Sequence, residues 1–309
     1  MDERTKIKFM NLNLEKLKKK FGNNIIFSEN LSKYSWFNLG GPADIFFRPN
    51  DKIQLLEFIS EINQNNYDIQ MLGAGSNTLI RDKGVRGAVI KLSSKFSDIH
   101  LIDKETINVG AASLDRRVSD FAKNHNIGDM EFLSCIPGSI GGGVIMNSGC
   151  YGSNISDILL SIQTIDIYGN EKEIKKDAIE FSYRGTNLPK NHIITSVKLR
   201  GSVSEKLLIE KKQDELIHNK KSSQPNQVKT GGSTFKNNNN KKAWMLIKES
   251  GCDKFSVGDA KISEKHCNFF INNGKAKASD IEKLINNVKK EVLNKTGVSL
   301  ELEIKIIGE

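Results

Sequence analysis

The sequence predicts an α+β protein assembled from several small domains. Strands and helices alternate through the first third, strands dominate the middle, and a mixed helix-and-strand segment closes the chain. Two glycine-rich loops interrupt that order, at Gly73-Ala74-Gly75-Ser76-Asn77 and from Ile136 to Gly152. With 309 residues the chain can bury two or three sizeable cores. The texture changes at about residue 95 and near 205, which divides the chain into 1–95, 96–204 and 205–309.

Each element has a local reason. Met10, Leu14, Leu17 and Phe21 recur at helical spacing among lysines and asparagines, so an amphipathic helix is expected within residues 1–30. Asp51 caps a helix to about Asn65, with Ile53, Leu56, Ile59 and Ile62 every three residues and Leu55 and Phe58 widening the stripe. Strands are expected at Asp68–Leu72, Ala88–Leu92 and Ile107–Gly110. A helix marked by Leu114, Val118, Phe121 and Ala122 is expected to end near a Gly128 C-cap. Ile162–Tyr168 turns at Gly169-Asn170, and Ile193, Thr195, Val197 and Leu199 alternate as a strand does. A polar helix over Glu205–Lys221 leads to the last segment. That segment holds a helix around Trp244–Glu249, a strand near Asn268–Ile271, and a helix capped by a Ser279…Glu282 box. The capped helix carries Ile281, Leu284, Ile285, Val288 and Val292 on one face, and a closing strand spans Val298–Ile307. Asn237–Asn240 is the only low-complexity run, too short for a disordered region.

Composition excludes several classes. Apolar residues at 38% and charged residues at 27% describe an ordinary globular chain. The four cysteines, Cys135, Cys150, Cys252 and Cys267, form no C-x-x-C pair, so neither a disulfide framework nor a zinc site is expected and reduced thiols in a cytoplasm fit. No apolar run approaches the ~20 residues that span a bilayer, and the lysine-bearing N-terminus has no signal-peptide pattern. Forty-six basic residues against 37 acidic ones give a net charge of +9. No basic stripe interleaved with aromatics accompanies it, so a lysine-rich surface that draws in a small anion is expected rather than a nucleic-acid site.

The glycine loops are the most informative stretches. Residues 136–152 carry six glycines, and their bare backbone can close N–H groups around a phosphate. Pro137 sets φ at the start, and Ser139 and Asn147 add side-chain donors. Gly73-Ala74-Gly75 follows a strand but fails as a dinucleotide fingerprint. Thr78 stands where the third glycine belongs, no convincing helix follows, and no acidic residue ends a second strand at the expected distance. Two such loops point to a ligand with two phosphates and a long body.

Three other places carry candidate chemistry. Arg184, beside Tyr183, reads either as a solvated surface charge or as a bidentate grip on carboxylate or phosphate. Gly231-Gly232-Ser233-Thr234-Phe235-Lys236-Asn237 reads either as a flexible turn or as a bent loop exposing the Ser233 hydroxyl. The nucleophile-elbow pattern is absent, so Ser233 is a proton donor or ligand-binding hydroxyl, with Lys236 and Asn237 as polar contacts to an anion. On the closing strand Glu301, Glu303 and Lys305 share the face opposite Leu300, Leu302, Ile304 and Ile306. That face is either wet or places Glu303 in a cleft.

Taken in order, these residues resemble the UDP-N-acetylenolpyruvoylglucosamine reductases from about Tyr34 to the C-terminus. The resemblance rests on Trp36-Phe37-Asn38-Leu39-Gly40-Gly41-Pro42-Ala43-Asp44, Leu72 to Asn77, Ile136 to Gly152 and Tyr183-Arg184. It continues through Gly232 to Asn237, Ile262-Ser263-Glu264-Lys265-His266 and Leu300-Glu301-Leu302-Glu303. It implies a flavin-binding fold of the vanillyl-alcohol-oxidase (PCMH) type, with two subdomains around FAD and a C-terminal α+β substrate domain. It also implies non-covalent FAD, NADPH as reductant, and reduction of the enolpyruvyl ether of a UDP-sugar in cytoplasmic peptidoglycan synthesis. Neither metal, nucleic acid nor membrane insertion is implied, and a monomer is expected. Arg184, Ser233 and Glu303 match the family's catalytic positions. Gly73, Ala74, Gly75, Ser76, Asn77, Pro137, Gly138, Ser139, Gly141, Gly142 and Asn147 become the expected cofactor contacts, and Tyr183, Lys236 and Asn237 the substrate contacts.

Two departures stand out: Thr186 where the family often has serine, and Asn238 where it usually has proline. The short Arg184–Ser233 interval, filled by one strand and one helix, leaves little room for the tyrosine-bearing capping insert of some members, so the chain resembles the shorter form. Two rival readings of the sequence remain open. One is an FAD-dependent oxidase of the same fold class, tethering its flavin through a residue such as Cys150. The other is a non-enzymatic binding protein using the basic surface.

Overall fold

The computed structural model describes residues 13–189, 191–238 and 241–309. Within them the chain divides into two interleaved compact units. The first takes residues 13–29, Asp44–Ala74 and Arg86–His218; the second takes Asn30–Ala43, Gly75–Val85 and Asn219–Glu309. The chain therefore passes between units inside the Gly73–Asn77 loop and again within the helix Lys206–Ser223.

The first unit holds two sheets. One is four-stranded, in the order Ile25–Asn30, Pro42–Phe47, Val85–Ile90, Ile69–Met71. The helices Leu14–Phe21 and Lys52–Gln64 share its core, where the Phe47 and Phe58 rings stack at 3.9 Å and Phe21 meets both edge-on. Asp51 caps the second helix by accepting from the Gln54 N–H at 2.8 Å. Its buried stripe is Leu55, Phe58, Ile59 and Ile62, whereas Ile53 is 69% exposed, so the stripe begins at Leu55 rather than at Ile53. Met10 of the first helical pattern lies outside the described residues.

The other sheet is five-stranded and antiparallel: Glu171–Lys175, Leu159–Asp166, His192–Arg200, Thr106–Gly110, Ile99–Leu101. Asp166 Oδ1 accepts from the Tyr168 and Asn170 N–H groups, which closes the expected turn. The helix Asp115–Asn124 ends at a His125 cap, not at Gly128; Asn126 at φ +59° has already turned the chain. The glycine stretch expected as a loop contains a short helix, Ile140–Met146, whose Ile140 and Val144 share a core with Val109 and Val197.

In the second unit an antiparallel sheet runs Lys229–Ser233, Phe269–Asn272, Ala260–Ile262, Ser256–Val257. The helices Ala243–Glu249 and Ala278–Thr296 cover it, with Phe37, Leu39 and Leu79 completing the core. The long helix starts at Ala278 rather than after Ser279. The reason is distant in sequence: Asp82 accepts from the Ala278 and Ser279 N–H groups at 2.8 and 3.0 Å. Burial alone would raise the Asp82 pKa, but these backbone bonds together with the Ser279 side chain and the Lys277 charge outweigh it and hold the carboxyl below its ordinary value. Glu282, expected in the capping box, instead pairs with Arg81. The expected long final strand is also shorter: Leu302 makes a single bridge to Phe235, and only Lys305–Ile307 pairs, parallel to Thr78–Ile80.

No described helix is long and apolar enough to cross a membrane. No cluster of three or more metal-ligating side chains occurs among the described residues.

Candidate active site

In the first unit, the strand Ile69–Met71 delivers the chain to Gly73, whose backbone is exposed. A Cβ placed on Gly73 would stand 3.0 Å from Ser139 Oγ, so both glycine segments reach one point. Lys91, which ends the neighbouring strand, donates its ammonium to the Gly73 carbonyl. The loop's second half, described with the second unit, is set by Gly75. Its φ is +73°, its carbonyl accepts from the Trp36 N–H at 3.0 Å, and a Cβ would overlap the Tyr34 carbonyl oxygen. Glycine is required there by both conformation and contact.

The second glycine segment is built on a buried acid. Asp115 has no exposed surface, and neither carboxyl oxygen has a hydrogen-bond partner among the described residues. Burial pushes its pKa well above the ordinary value. Its backbone N–H donates to the Gly138 carbonyl, and a Gly138 Cβ would meet its Oδ2 at 2.6 Å. Gly141 packs as closely: its N–H donates to the Ala111 carbonyl, and a Cβ there would meet the Ala111 Cβ at 2.9 Å. Gly142 and Pro137 remain exposed. Asn147 adopts the left-handed conformation at φ +41° and closes the helix. Its side chain accepts from the Ser156 N–H and donates to the Ser182 carbonyl.

That last bond brings in Arg184. Phe181–Ser182 and Gly185–Thr186 pair around a two-residue turn, Tyr183-Arg184. Thr186 Oγ1 donates to the Ile145 carbonyl, so the hairpin is tied to the glycine segment at two points. Arg184 sits at φ +58°, an uncommon conformation for a bulky residue that points to a need for its side chain. Its guanidinium donates to the Gly149 carbonyl at 2.8 Å and lies 5.0 Å from the centre of the Tyr183 ring. Tyr183 is 48% exposed.

Ser233 and Glu303 lie on neighbouring segments of the second unit. The strand Lys229–Ser233 slips register between Thr230 and Ser233, with Gly232 at φ +80° in the slip, and Ser233 pairs opposite Phe269. The next residue anchors the acid: the Thr234 carbonyl accepts from the Glu303 N–H at 2.9 Å. On the other side of Glu303, its carbonyl accepts from the Asn77 side chain at 3.0 Å. Asn268 clamps the Phe235 peptide through both its side-chain amide groups. Ser233 and Glu303 are both half-buried, whereas Glu301 on the same alternation is exposed and pairs at 3.7 Å with Lys236. Among the described residues no protein acceptor takes the Ser233 hydroxyl. Asn237 accepts from the Ala243 N–H, so it also shapes a helix start. His266 lies edge-on to Phe269 at 4.9 Å, and burial lowers its pKa.

Sequence reasoning missed Lys91, Asp115 and Asn268. A lysine after a strand has no distinguishing mark among 46 basic residues. Asp115 carried one signal, an acid in the apolar stripe of Leu114, Val118 and Ala122. The exposed Gly73 backbone, the adjoining Ser139 hydroxyl and the Lys91 cation fit a phosphate-bearing cofactor.

Comparison with known proteins agrees with this geometry. An FAD-binding domain family matches residues 43–174, and the C-terminal domain of UDP-N-acetylenolpyruvoylglucosamine reductase matches residues 224–307. The UDP-N-acetylenolpyruvoylglucosamine reductase of Pelagibacter ubique is 44% identical over 297 residues, covering 95% of this chain and 98% of the relative. The enzyme of the same name from Rickettsia peacockii is 45% identical over 281 residues, 90% of this chain and 94% of its own. The crystal structure of UDP-N-acetylenolpyruvylglucosamine reductase from Thermus caldophilus superposes with a TM-score of 0.79 at 30% identity, covering 92% of this chain and 98% of that one. These matches displace both the tethered-flavin oxidase and the non-enzymatic binding protein; the half-buried Cys150 thiol donates to the Phe132 carbonyl. With the α+β flavin-binding fold and the reductase's C-terminal domain on one chain, this protein belongs to the UDP-N-acetylenolpyruvoylglucosamine reductase family.

Proposed function

We propose that this chain uses NADPH to reduce the enolpyruvyl ether of UDP-N-acetylglucosamine to the lactyl ether, UDP-N-acetylmuramate, in peptidoglycan synthesis. One observation carries the reading: the Thr234–Glu303 backbone bond sets a serine with an unclaimed hydroxyl beside a half-buried carboxylate. Bound FAD, reduced by NADPH, would supply the hydride that the terminal enolpyruvyl carbon takes up. Negative charge then spreads from the adjacent carbon into the substrate carboxylate. Arg184 stabilises that charge more than it stabilises the ground state, which is the condition for lowering the barrier. Ser233 donates the proton that completes the new C–H bond, because an enolate is basic enough to take a hydroxyl proton at close range. Glu303, fixed by its backbone on both sides, orients the substrate carboxyl group or shares a proton with it.

The contacts divide by role. Gly73, Ala74, Gly75, Ser76 and Asn77, with Pro137, Gly138, Ser139 and Gly142, line the non-covalently bound flavin. Gly141 and Asn147 shape the segment that presents them. Tyr183, Lys236 and Asn237 contact the UDP-sugar. Residues 1–95 and 96–204 serve the flavin and 205–309 serves the substrate, in a cytoplasmic monomer whose cysteines form no disulfide. Anaerobic stopped-flow absorbance in the flavin band tests the whole reading. NADPH should bleach the flavin, and the enolpyruvyl substrate alone should restore the colour quickly. Recovery driven by oxygen but not by that substrate refutes it.

A further inference from the structure

Three chain segments of the first unit leave one sheet edge together. Met71 leads into Gly73, Ile90 into Lys91, and Phe47 into Arg48. Ile69–Met71 and Val85–Ile90 run parallel. The Leu72 N–H donates to the Ile90 carbonyl at 2.9 Å, and the Lys91 N–H to the Phe47 carbonyl at 3.0 Å. Open sheets receive ligands outside the carboxyl ends of parallel strands. At this edge the Lys91 ammonium lies on the Gly73 carbonyl, and Ser139 Oγ stands 3.0 Å from where a Gly73 Cβ would be.

Charge there is unbalanced. Burial and the neighbouring Arg48 together draw the Lys91 pKa down to about 8, so at neutral pH the ammonium persists against both influences. Among the described residues neither Lys91 nor Arg48 forms an ion pair with a carboxylate. The Gly73 carbonyl satisfies one donor of the ammonium but leaves its charge uncompensated. Two like charges held beside a backbone-lined loop raise the free energy of the protein until an anion joins them.

We propose that Lys91, with Arg48 beside it, is the counter-charge for the flavin's diphosphate. This rests on the reading that the Gly73 loop and the Ser139 segment hold that diphosphate. A lysine suits the position: one N–H stays on the Gly73 carbonyl and fixes the loop, and two remain for phosphate oxygens.

The test uses the full-length chain stripped of flavin and titrated with FAD or with riboflavin, which lacks both phosphates, by quenching of flavin fluorescence. Lys91→Met should weaken FAD binding about ten- to hundredfold and leave riboflavin within about twofold. Lys91→Arg should recover most of the FAD affinity. Unchanged FAD binding in Lys91→Met, or equal loss for both flavins, overturns the proposal. Gly73→Val separates this from the underlying reading, since its side chain crowds the approach to Ser139. If Gly73→Val selectively weakens FAD while Lys91→Met does not, the loop holds the diphosphate and Lys91 has no part. If Gly73→Val weakens FAD and riboflavin alike, the loop reading itself fails.

Discussion

Two glycine-rich stretches of this chain look alike in sequence and fold in opposite ways. In the first unit Ile140–Met146 becomes a helix whose Ile140 and Gly141 N–H groups donate to the Ser113 and Ala111 carbonyls. In the second unit Gly231 and Gly232 lie in a strand with a register slip that ends at Ser233. The glycines do different work. Gly141 lets a helix lie against Ala111, and Gly231 lets a strand pass under the Phe37 ring, where a Cβ would come within 2.4 Å of Cε2. Gly232 has open space around it and is needed only for its φ of +80°. A run of glycines therefore marks close backbone approach, and the neighbouring element decides what approaches.

The sharpest way to probe this contrast is at the residue the second stretch presents. Ser233→Ala should slow reduction of the enolpyruvyl substrate by about 10²- to 10⁴-fold while NADPH still reduces the flavin at nearly the native rate. Stopped-flow traces of the two half-reactions decide it; equal losses in both would remove the proton-donor role. Next in size is Gly141→Ala. The added methyl meets the buried Ala111 at 2.9 Å, so urea denaturation should show about 1–3 kcal/mol of lost stability. Gly232→Ala meets no atom and should cost only the left-handed backbone strain, about 1–2 kcal/mol in the same assay. A cost for Gly232→Ala well above that for Gly141→Ala would reverse the assignment of packing to one and conformation to the other.

The smallest effect concerns the acid beneath the first stretch. Burial raises the Asp115 pKa, so the folded chain holds a proton that the unfolded chain releases near the ordinary value of 3.8. Stability from this group is complete below that pH and is lost as pH rises toward the elevated folded value. Asp115→Asn should flatten the fall of unfolding free energy with pH above about 4, measured by urea titration at several pH values. An unchanged slope would show that Asp115 is ionised in the folded protein.

Much of the fold was legible because local rules and tertiary outcome agree. The Asp51 cap, the turn at Gly169-Asn170 and the buried face of the long helix at Ile281, Leu284, Ile285, Val288 and Val292 are all set by neighbours within a few residues. Legibility failed where the deciding partner is remote. The helix expected to start just after a Ser279 cap begins at Ala278 because Asp82, far earlier in the chain, takes its first two N–H groups. The final strand is cut short because Phe235 and Thr78–Ile80 each claim only part of it.

The candidate site follows the same division. By itself the sequence marked the two glycine loops, Arg184, Ser233 and Glu303 as candidates, together with the family they resemble. Tertiary structure alone decided that the Thr234 carbonyl holds Glu303, that Asn147 and Thr186 tie the arginine hairpin to the glycine segment, and that Lys91 reaches Gly73. The physical reason is range. Capping, turn and periodicity energies act over a few residues, whereas these contacts join groups tens of positions apart. Which of them meet depends on how the sheets pair and the cores fill.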